Sequence, residues 1–237
     1  MEIYDPTTTG RLLMTISPGR VPPAGPYDIS LTYQHRHPWW SGADTAPETW
    51  HVSADIYDDS GTHVDAHAGD FHIVTVDIYG TRDPFGLLDG EDADLGLIAE
   101  TIFSAGGGHL DPDLDGLLEP AGSRILILSS ARLEPQWRGF GLGALLAGTA
   151  IRKLASGGRA AVCYPAPIGE PDEDEPESEP GQAAREQAIR ALDSVWAKLG
   201  FEHFRDGVHV LDLNLTSLDE NLARLRKNAQ RYRITGN

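Results

Sequence analysis

The sequence predicts one α/β domain, and three features carry that prediction. Early in the chain, apolar and polar residues alternate along several short stretches, which is typical of half-buried strands. Residues 125–128 form an unbroken apolar run, which suits a strand covered on both faces. Residues 142–154 and 188–199 place apolar side chains at helical spacing. With 237 residues, 40% of them hydrophobic, the chain is long enough to bury a sizeable core.

The first part of the chain is predicted to consist mainly of strands. We interpret residues 1–49 as an N-terminal strand extension of the domain, with a first strand at residues 11–16. A hairpin turn is expected at Asp58-Asp-Ser-Gly61. Three further strands are predicted at residues 27–33, 50–56 and 71–78.

The middle of the chain is predicted to alternate between helix and strand. Residues 94–103 have one apolar face and several acids at their start, as a helix N-terminus should. Residues 111–115 are expected to belong to a loop that leads into the strand at 125–128. Glu134-Pro135 ends that strand, because proline cannot donate a backbone hydrogen bond. A glycine-rich turn then leads into the helix of residues 142–154.

The last third begins with a predicted strand at residues 160–163. The acidic, proline-rich segment 168–182 is expected to be a flexible loop, because like charges repel and prolines oppose helix. The helix of residues 188–199 ends at Gly200, a natural left-handed C-cap. Residues 217–232 are predicted to form an extra C-terminal helix that opens with a Ser-x-x-Glu capping box.

The turn between the central strand and its helix is a candidate anion site. Gly139, Gly141 and Gly143 stand at alternate positions, where the missing Cβ lets a large anion approach the backbone. The first N–H groups of a helix have no intrahelical partner, and the helix dipole adds partial positive charge there. A diphosphate would suit such a site. A Walker loop is excluded, because Gly143 is followed by Ala144-Leu145 rather than by lysine and a hydroxyl residue.

Three interpretations of this turn then compete. Gly139-x-Gly141-x-x-Ala144 nearly matches the dinucleotide fingerprint, but the next strand lacks the acidic residue that would hold a ribose. A glycine-rich structural turn without a ligand is the second interpretation. The third follows from a resemblance to a known family.

The segment Arg138-x-x-Gly141-x-Gly143 resembles the Gln/Arg-x-x-Gly-x-Gly/Ala motif of the GNAT superfamily of N-acetyltransferases. Residues 192–201 look like the closing signature of that family, in which a helix ends in Lys-Leu-Gly-Phe before the last pair of strands. Two motifs in the right order are more specific than either alone.

The resemblance implies a GNAT acyl-CoA N-acyltransferase fold: a mixed, mostly antiparallel sheet, splayed near its middle, with helices on both faces. It implies acetyl-CoA as the co-substrate and an amine as the acceptor. In the family, the end of the strand pairs with the pantetheine arm and polarises the thioester carbonyl, and the loop cradles the pyrophosphate. Carried over by position, the cofactor-binding residues are Ala131, Arg132, Leu133, Arg138, Gly139, Phe140, Gly141, Leu142, Gly143 and Ala144.

The resemblance leaves the residues that transfer protons open. Many family members have a tyrosine where this chain has Trp196, and the phenol protonates the leaving thiolate, which an indole cannot do. Tyr164 and Cys163, at the end of the strand beside the cofactor cleft, are therefore the candidate catalytic acids. Four residues stay open as the base, unless water relays the proton: Glu100, Asp55, Asp77 and His72.

Histidines and acids crowd a short part of the chain that includes His63, Asp65, His67, Asp70 and His72. We predict no metal site there, because no cysteine joins them and a strand would scatter them over both faces. A second aromatic group could line a substrate cleft or fill the edge of the core: His35, His37, Trp39 and Trp40.

The charge balance bears on partners. With 36 acidic and 19 basic residues, the net charge of −17 would repel nucleic acids and anionic membranes and attract cationic amines. We therefore expect a small cationic amine as acceptor and no nucleic-acid or membrane partner. The oligomeric state stays open, with a homodimer as one option. The single cysteine excludes an internal disulfide, and neither a secretory signal nor a membrane span is visible, so a cytoplasmic location is expected.

A non-catalytic acyl-CoA-binding or regulatory module is the alternative function, and a nicotinamide-dependent oxidoreductase is a distant third.

Overall fold

The computed structural model describes residues 21–37, 47–58, 60–61, 64–81, 83–104, 108–166 and 179–232. The strands in these ranges are β1 (Ser30–His35), β2 (Glu48–Tyr57), β3 (Val64–Asp77), β4 (Arg124–Leu133), β5 (Gly158–Cys163), β6 (Glu202–Arg205) and β7 (Val208–Asp212). The α-helices are α1 (Pro84–Asp89), α2 (Ala93–Ile102), α3 (Pro112–Leu117), α4 (Leu142–Leu154), α5 (Glu179–Trp196) and α6 (Ser217–Ala229). Single 3₁₀ turns lie at Pro26–Asp28, Pro135–Trp137, Ala197–Leu199 and Gln230–Tyr232.

The strands form one sheet in the order β1-β2-β3-β4-β5-β7-β6. Neighbouring strands are antiparallel except β4 and β5, which run parallel because α4 crosses over between them. The mixed, mostly antiparallel sheet expected of an α/β domain is therefore confirmed.

Helices cover both faces of the sheet, as predicted. On one face, α4, α6 and the end of α5 pack on a core that includes Leu126 and Leu128. On the other face, α1, α2 and α3 pack on Ile125 and Ile127. Successive side chains of a strand point to opposite faces. The unbroken apolar run of β4 thus follows from a strand buried on both sides.

Two short helices were not predicted. Residues 111–115 were expected to be loop, yet α3 occupies most of that stretch and continues to Leu117. The side chain of Asp111 accepts hydrogen bonds from the first amides of α3, and the proline at its first position needs no partner for a missing N–H. The same Asp-Pro pair opens α1, where the Asp83 side chain accepts from the amide of Gly86.

The prediction for the acidic segment is wrong where it can be compared. Residues 168–178 lie outside the described ranges, but residues 179–182 belong to α5. Proline opposes a helix interior but fits the first turn, so Pro180, the second residue of α5, does not prevent the helix. The helix predicted at 188–199 is confirmed, and Gly200 ends it with a left-handed φ of 100°.

The C-terminal helix is confirmed, but its capping box is not. The N-cap is Thr216 rather than Ser217, and no side chain caps the first turn. Instead, the Thr216 hydroxyl donates to the Glu220 carboxylate at 2.8 Å. The apolar stripe of α6 joins the core beneath α4.

The remaining strand predictions are confirmed within one to several residues, although β1 begins only at Ser30, after a 3₁₀ turn. The strand predicted at residues 11–16 lies outside the described ranges. Across those ranges, no helix has the length and apolar content that a bilayer crossing requires.

Candidate functional site

The two central parallel strands separate at one end of the sheet. Pairing between β4 and β5 stops at Leu128 and Cys163, where β5 ends. β4 continues to Leu133 and stays paired with β3 on its other side. Along residues 129–133, the edge of β4 that would face β5 therefore has no strand neighbour among the described residues. Backbone groups on such an edge are available to pair with a ligand.

The glycine-rich turn lies just beyond this free edge. Gly139 and Gly141 have left-handed φ values of 87° and 76°, which side chains other than glycine rarely adopt. Gly141 is the N-cap of α4, and no side chain caps the first turn of that helix. Apart from its chain neighbours and the nearby helix backbone, a Cβ placed on Gly141 would have no protein atom within 4 Å. The start of α4 is therefore open on that side. The first amides of α4 are thus available to an anion.

The larger side chains of the turn point into the protein rather than across the turn. Trp137 is fully buried, and its indole N–H donates to the His67 carbonyl at 3.1 Å. Phe140 and Leu142 are buried in the same core, with Phe140 edge-on to Tyr232. Since their side chains face inward, only backbone groups of Phe140 and Leu142 can serve a ligand here.

The remaining predicted cofactor residues either pack in the core or are exposed at the end of β4. Ala131 and Ala144 pack in the core on the α4 side, whereas Arg132 is exposed on the opposite face of β4. The exposed Arg138 folds back, and its Nε donates to the Leu133 carbonyl at 2.7 Å. Its guanidinium is therefore held at the end of β4, between the free strand edge and the turn.

Gly143 differs from Gly139 and Gly141, because its φ is not left-handed. It lies inside α4, and a Cβ there would be 3.5 Å from the Leu133 side chain, an ordinary contact. The packing of the chain itself therefore does not require glycine at this position.

A cavity of about 40 Å³ lies where β4 and β5 separate. Tyr164, the first residue after β5, forms one wall, and β4 and the start of α2 form the others. Its lining residues are Asp92, Asp94, Leu95, Ile98, Leu128, Ser129 and Tyr164. The sequence predicts only a capping role for the acids at the start of α2. Asp92 does cap the helix, accepting from the Asp94 amide at 2.8 Å, but only the packing of α2 against β4 shows that both also line the cavity.

The two candidate acids have different surroundings. Tyr164 is half-buried at the cavity, whereas Cys163 is buried in the α4 core, and burial, with a contribution from Asp193, raises the pKa of its thiol. The neighbouring His209 does not activate this thiol, because both ring nitrogens face oxygen atoms. Its Nδ1 lies 3.0 Å from the Gly207 carbonyl, and its Nε2 lies 3.6 Å from Asp193.

A chain of histidines and aspartates crosses β2 and β3, the two strands that precede β4 in the sheet. His67 bridges two carboxylates, with Nδ1 2.7 Å from Asp55 and Nε2 2.9 Å from Asp70. The second oxygen of Asp70 lies 2.8 Å from His51 Nε2, and the His51 ring is edge-on to His72. We call these five side chains the His–Asp chain. The hydrogen bond to Asp55, helped by Asp70, raises the pKa of His67 against the effect of burial. Although burial opposes it, hydrogen bonds from His51 and His67 lower the pKa of Asp70.

The His–Asp chain does not have the features of a metal site. Both ring nitrogens of His67 already face carboxylates, and imidazole binds a metal through a free nitrogen lone pair. In the described ranges no three His, Cys, Asp or Glu side chains are grouped to hold a metal ion. His63 lies outside those ranges.

The aromatic group that begins at His35 lies at the other side of the sheet from the opening between β4 and β5. His35 stacks on Trp50 at the edge formed by β1 and β2, with ring centroids 4.7 Å apart, and His37 stacks on His35. Trp39 and Trp40 lie outside the described ranges. The described members of this group thus do not line the opening between β4 and β5.

In comparisons with protein-family models, curated proteins and solved structures, the chain has no match.

Proposed function

We propose that this chain is an N-acyltransferase of the GNAT type, which moves an acetyl group from acetyl-CoA to a small cationic amine. One observation carries the proposal: the free edge of β4 leads directly to the uncapped, glycine-lined start of α4. An elongated ligand with an amide-bearing arm and a diphosphate fits that sequence of backbone groups.

In this proposal the backbone binds the donor. Amides at the start of α4 contact the pyrophosphate, where helix dipole and unpaired N–H groups favour an anion. The free edge of residues 129–133 pairs with the amides of the pantetheine arm and places the thioester at the mouth of the cavity. Arg138, held at the end of β4, supplies positive charge between these two regions.

The cavity side chains act on the acceptor and the leaving group. Asp92 and Asp94 attract an ammonium group to the cavity, which Tyr164 also lines. Once the ammonium has released one proton, which ends in solvent, its neutral nitrogen bonds to the acetyl carbon as the carbon–sulfur bond breaks. Tyr164 then donates its hydroxyl proton to the thiolate sulfur and regains one from the nitrogen of the new amide.

Calorimetry and a turnover assay test the proposal together. We expect the purified full chain to bind acetyl-CoA more tightly than NAD, and to release free thiol from acetyl-CoA when given a panel of amines. Tyr164→Phe should lower kcat about 10²-fold without weakening acetyl-CoA binding, since general acid catalysis contributes at least that much. Binding without turnover would instead identify an acyl-CoA-binding module, and preference for NAD would support the dinucleotide interpretation.

A further inference from the structure

We infer that His72 accepts the proton that the attacking amine loses, and that the rest of the His–Asp chain holds its ring in position. This inference rests on the proposed function and assigns the residue that the sequence left open.

Position is the first argument for His72. In the sheet, His72 is the partner of Ser130 on β4, and the Ser129 hydroxyl donates to the His72 carbonyl at 3.3 Å. Ser129 itself lines the cavity together with Tyr164. Because Phe71 and Ile73 point into the α4 core, alternation puts the His72 ring on the opposite face, the one that α2 covers. His72 thus lies on the cavity's face of the sheet, one strand away from the free edge of β4.

The other three candidate bases are less suited to the role. Asp55 is buried and already bonded to Ser53 and His67. Asp77 accepts from the amides of Tyr79 and Gly80 and from the Ser123 hydroxyl, contacts that lower its pKa against the effect of burial. Glu100 is exposed near the C-terminal end of α2, beyond Asp94, Leu95 and Ile98, the residues of that helix that line the cavity.

The surroundings of His72 favour the neutral form of its ring, and the ring of His51 packs edge-on against it. Although its side chain is exposed, the groups packed around it remove enough water to lower its pKa. The nearby His51 lowers the pKa further, while Asp70 raises it. The charged or titratable groups that the strand register places next to it are His51 on β2, Asp70 on β3 and Arg132 on β4. Asp94 in the first turn of α2 and its N-cap Asp92 lie at the cavity on the same face of the sheet. A neutral imidazole at pH 7 has a free lone pair, which a proton acceptor needs.

The proton balance closes with these groups. The bound ammonium gives one proton to His72, and the neutral amine then attacks the acetyl carbon. A second nitrogen proton replaces the one that Tyr164 gives to sulfur. The His72 imidazolium releases its proton to solvent, so one proton is freed per turnover.

The test is the pH dependence of acetyl transfer at saturating acetyl-CoA. For the full chain, kcat/KM for the amine should rise with pH through an apparent pKa below the usual histidine value. His72→Gln should lower kcat/KM at pH 7 about 10²-fold, abolish that acidic limb and leave acetyl-CoA affinity unchanged. Added imidazole should partly restore the rate of His72→Ala. His109→Gln, an exposed histidine outside the site, is the matched control and should retain the wild-type profile.

Asp70→Asn separates a positioning role from a merely structural one. Because Asp70 raises the pKa of His72, its neutralisation should move the acidic limb to lower pH. If the wild type transfers acetyl groups and His72→Gln keeps both the rate and the acidic limb, the inference is overturned while the proposed function stands. If the wild type turns over no amine, both fail.

Discussion

At the scale of single residues, the proposed diphosphate contact depends on backbone conformation more than on any side chain. Gly139 and Gly141 adopt left-handed φ values that expose the first amides of α4. Glycine spacing is visible in a sequence, so this part of the site could be predicted. The inward orientation of Phe140 and Leu142 could not, because it depends on a core assembled from distant helices.

Gly141→Ala should weaken acetyl-CoA binding at least tenfold. The new Cβ would protrude into the open side of the turn, where the pyrophosphate is proposed to lie. Left-handed backbone costs a residue with a Cβ about 1–2 kcal/mol, so the fold should also lose stability. Gly157→Ala is the control, since Gly157 has a similar φ of 69° in the turn between α4 and β5. Calorimetric titration should show lost affinity only for Gly141→Ala, and equal losses in both variants would argue against a site at this turn.

At the scale of elements, the sequence features that correctly predicted strands and helices were local ones. The apolar run of residues 125–128 and the helical stripe that follows predicted β4 and α4. The run ends at Leu128, the same residue at which pairing with β5 stops, so the change to Ser129 and Ser130 was an available sign of the opening. The acids of α2 gave no such sign, because their place at the cavity depends on how α2 packs across the sheet.

Gly148 sets how closely α4 approaches α6. A Cβ on this buried residue would collide with the side chains of Leu199 and Leu222. Overpacking typically costs about 1–3 kcal/mol, against a gain of up to about 1 kcal/mol when alanine replaces glycine in a helix. We expect Gly148→Ala to lower the free energy of unfolding measured in urea. Gly116→Ala in α3, where a Cβ has open space, should leave it unchanged or raise it.

The His–Asp chain should make the pairing of β2 with β3 dependent on pH. Asp55 and Asp70 raise the pKa of His67 in the folded protein. The contribution of protonated His67 to the stability of the fold is then complete below its pKa in the unfolded chain, about 6.5. It is lost as pH rises through its higher pKa in the folded protein. The difference in unfolding free energy between wild type and His67→Gln should therefore shrink from pH 6 to pH 9. Urea unfolding across that range measures it, and a constant difference would show that His67 is not held as a cation.

At the scale of the whole molecule, the site lies where the two cores meet. β4 is buried on both faces until Leu128, and beyond that residue its free edge runs from the cavity on the α2 side toward the start of α4. The net charge of −17 acts on the two proposed substrates in opposite senses. It attracts a cationic amine and repels the anionic donor.

Because these two effects have opposite signs, added salt should change kcat/KM for the amine and for acetyl-CoA in opposite directions. At saturating acetyl-CoA, added NaCl should lower kcat/KM for a cationic alkylamine, because the screening length falls from about 10 Å at 0.1 M to about 3 Å at 1 M. An aniline that is neutral at pH 7 should show little change, since the field of the protein does not steer it. When the amine is saturating instead, salt should raise kcat/KM for acetyl-CoA, as repulsion of the donor is screened. Parallel salt profiles for the alkylamine and the aniline would mean that the acidic residues, Asp92 and Asp94 among them, do not select the acceptor.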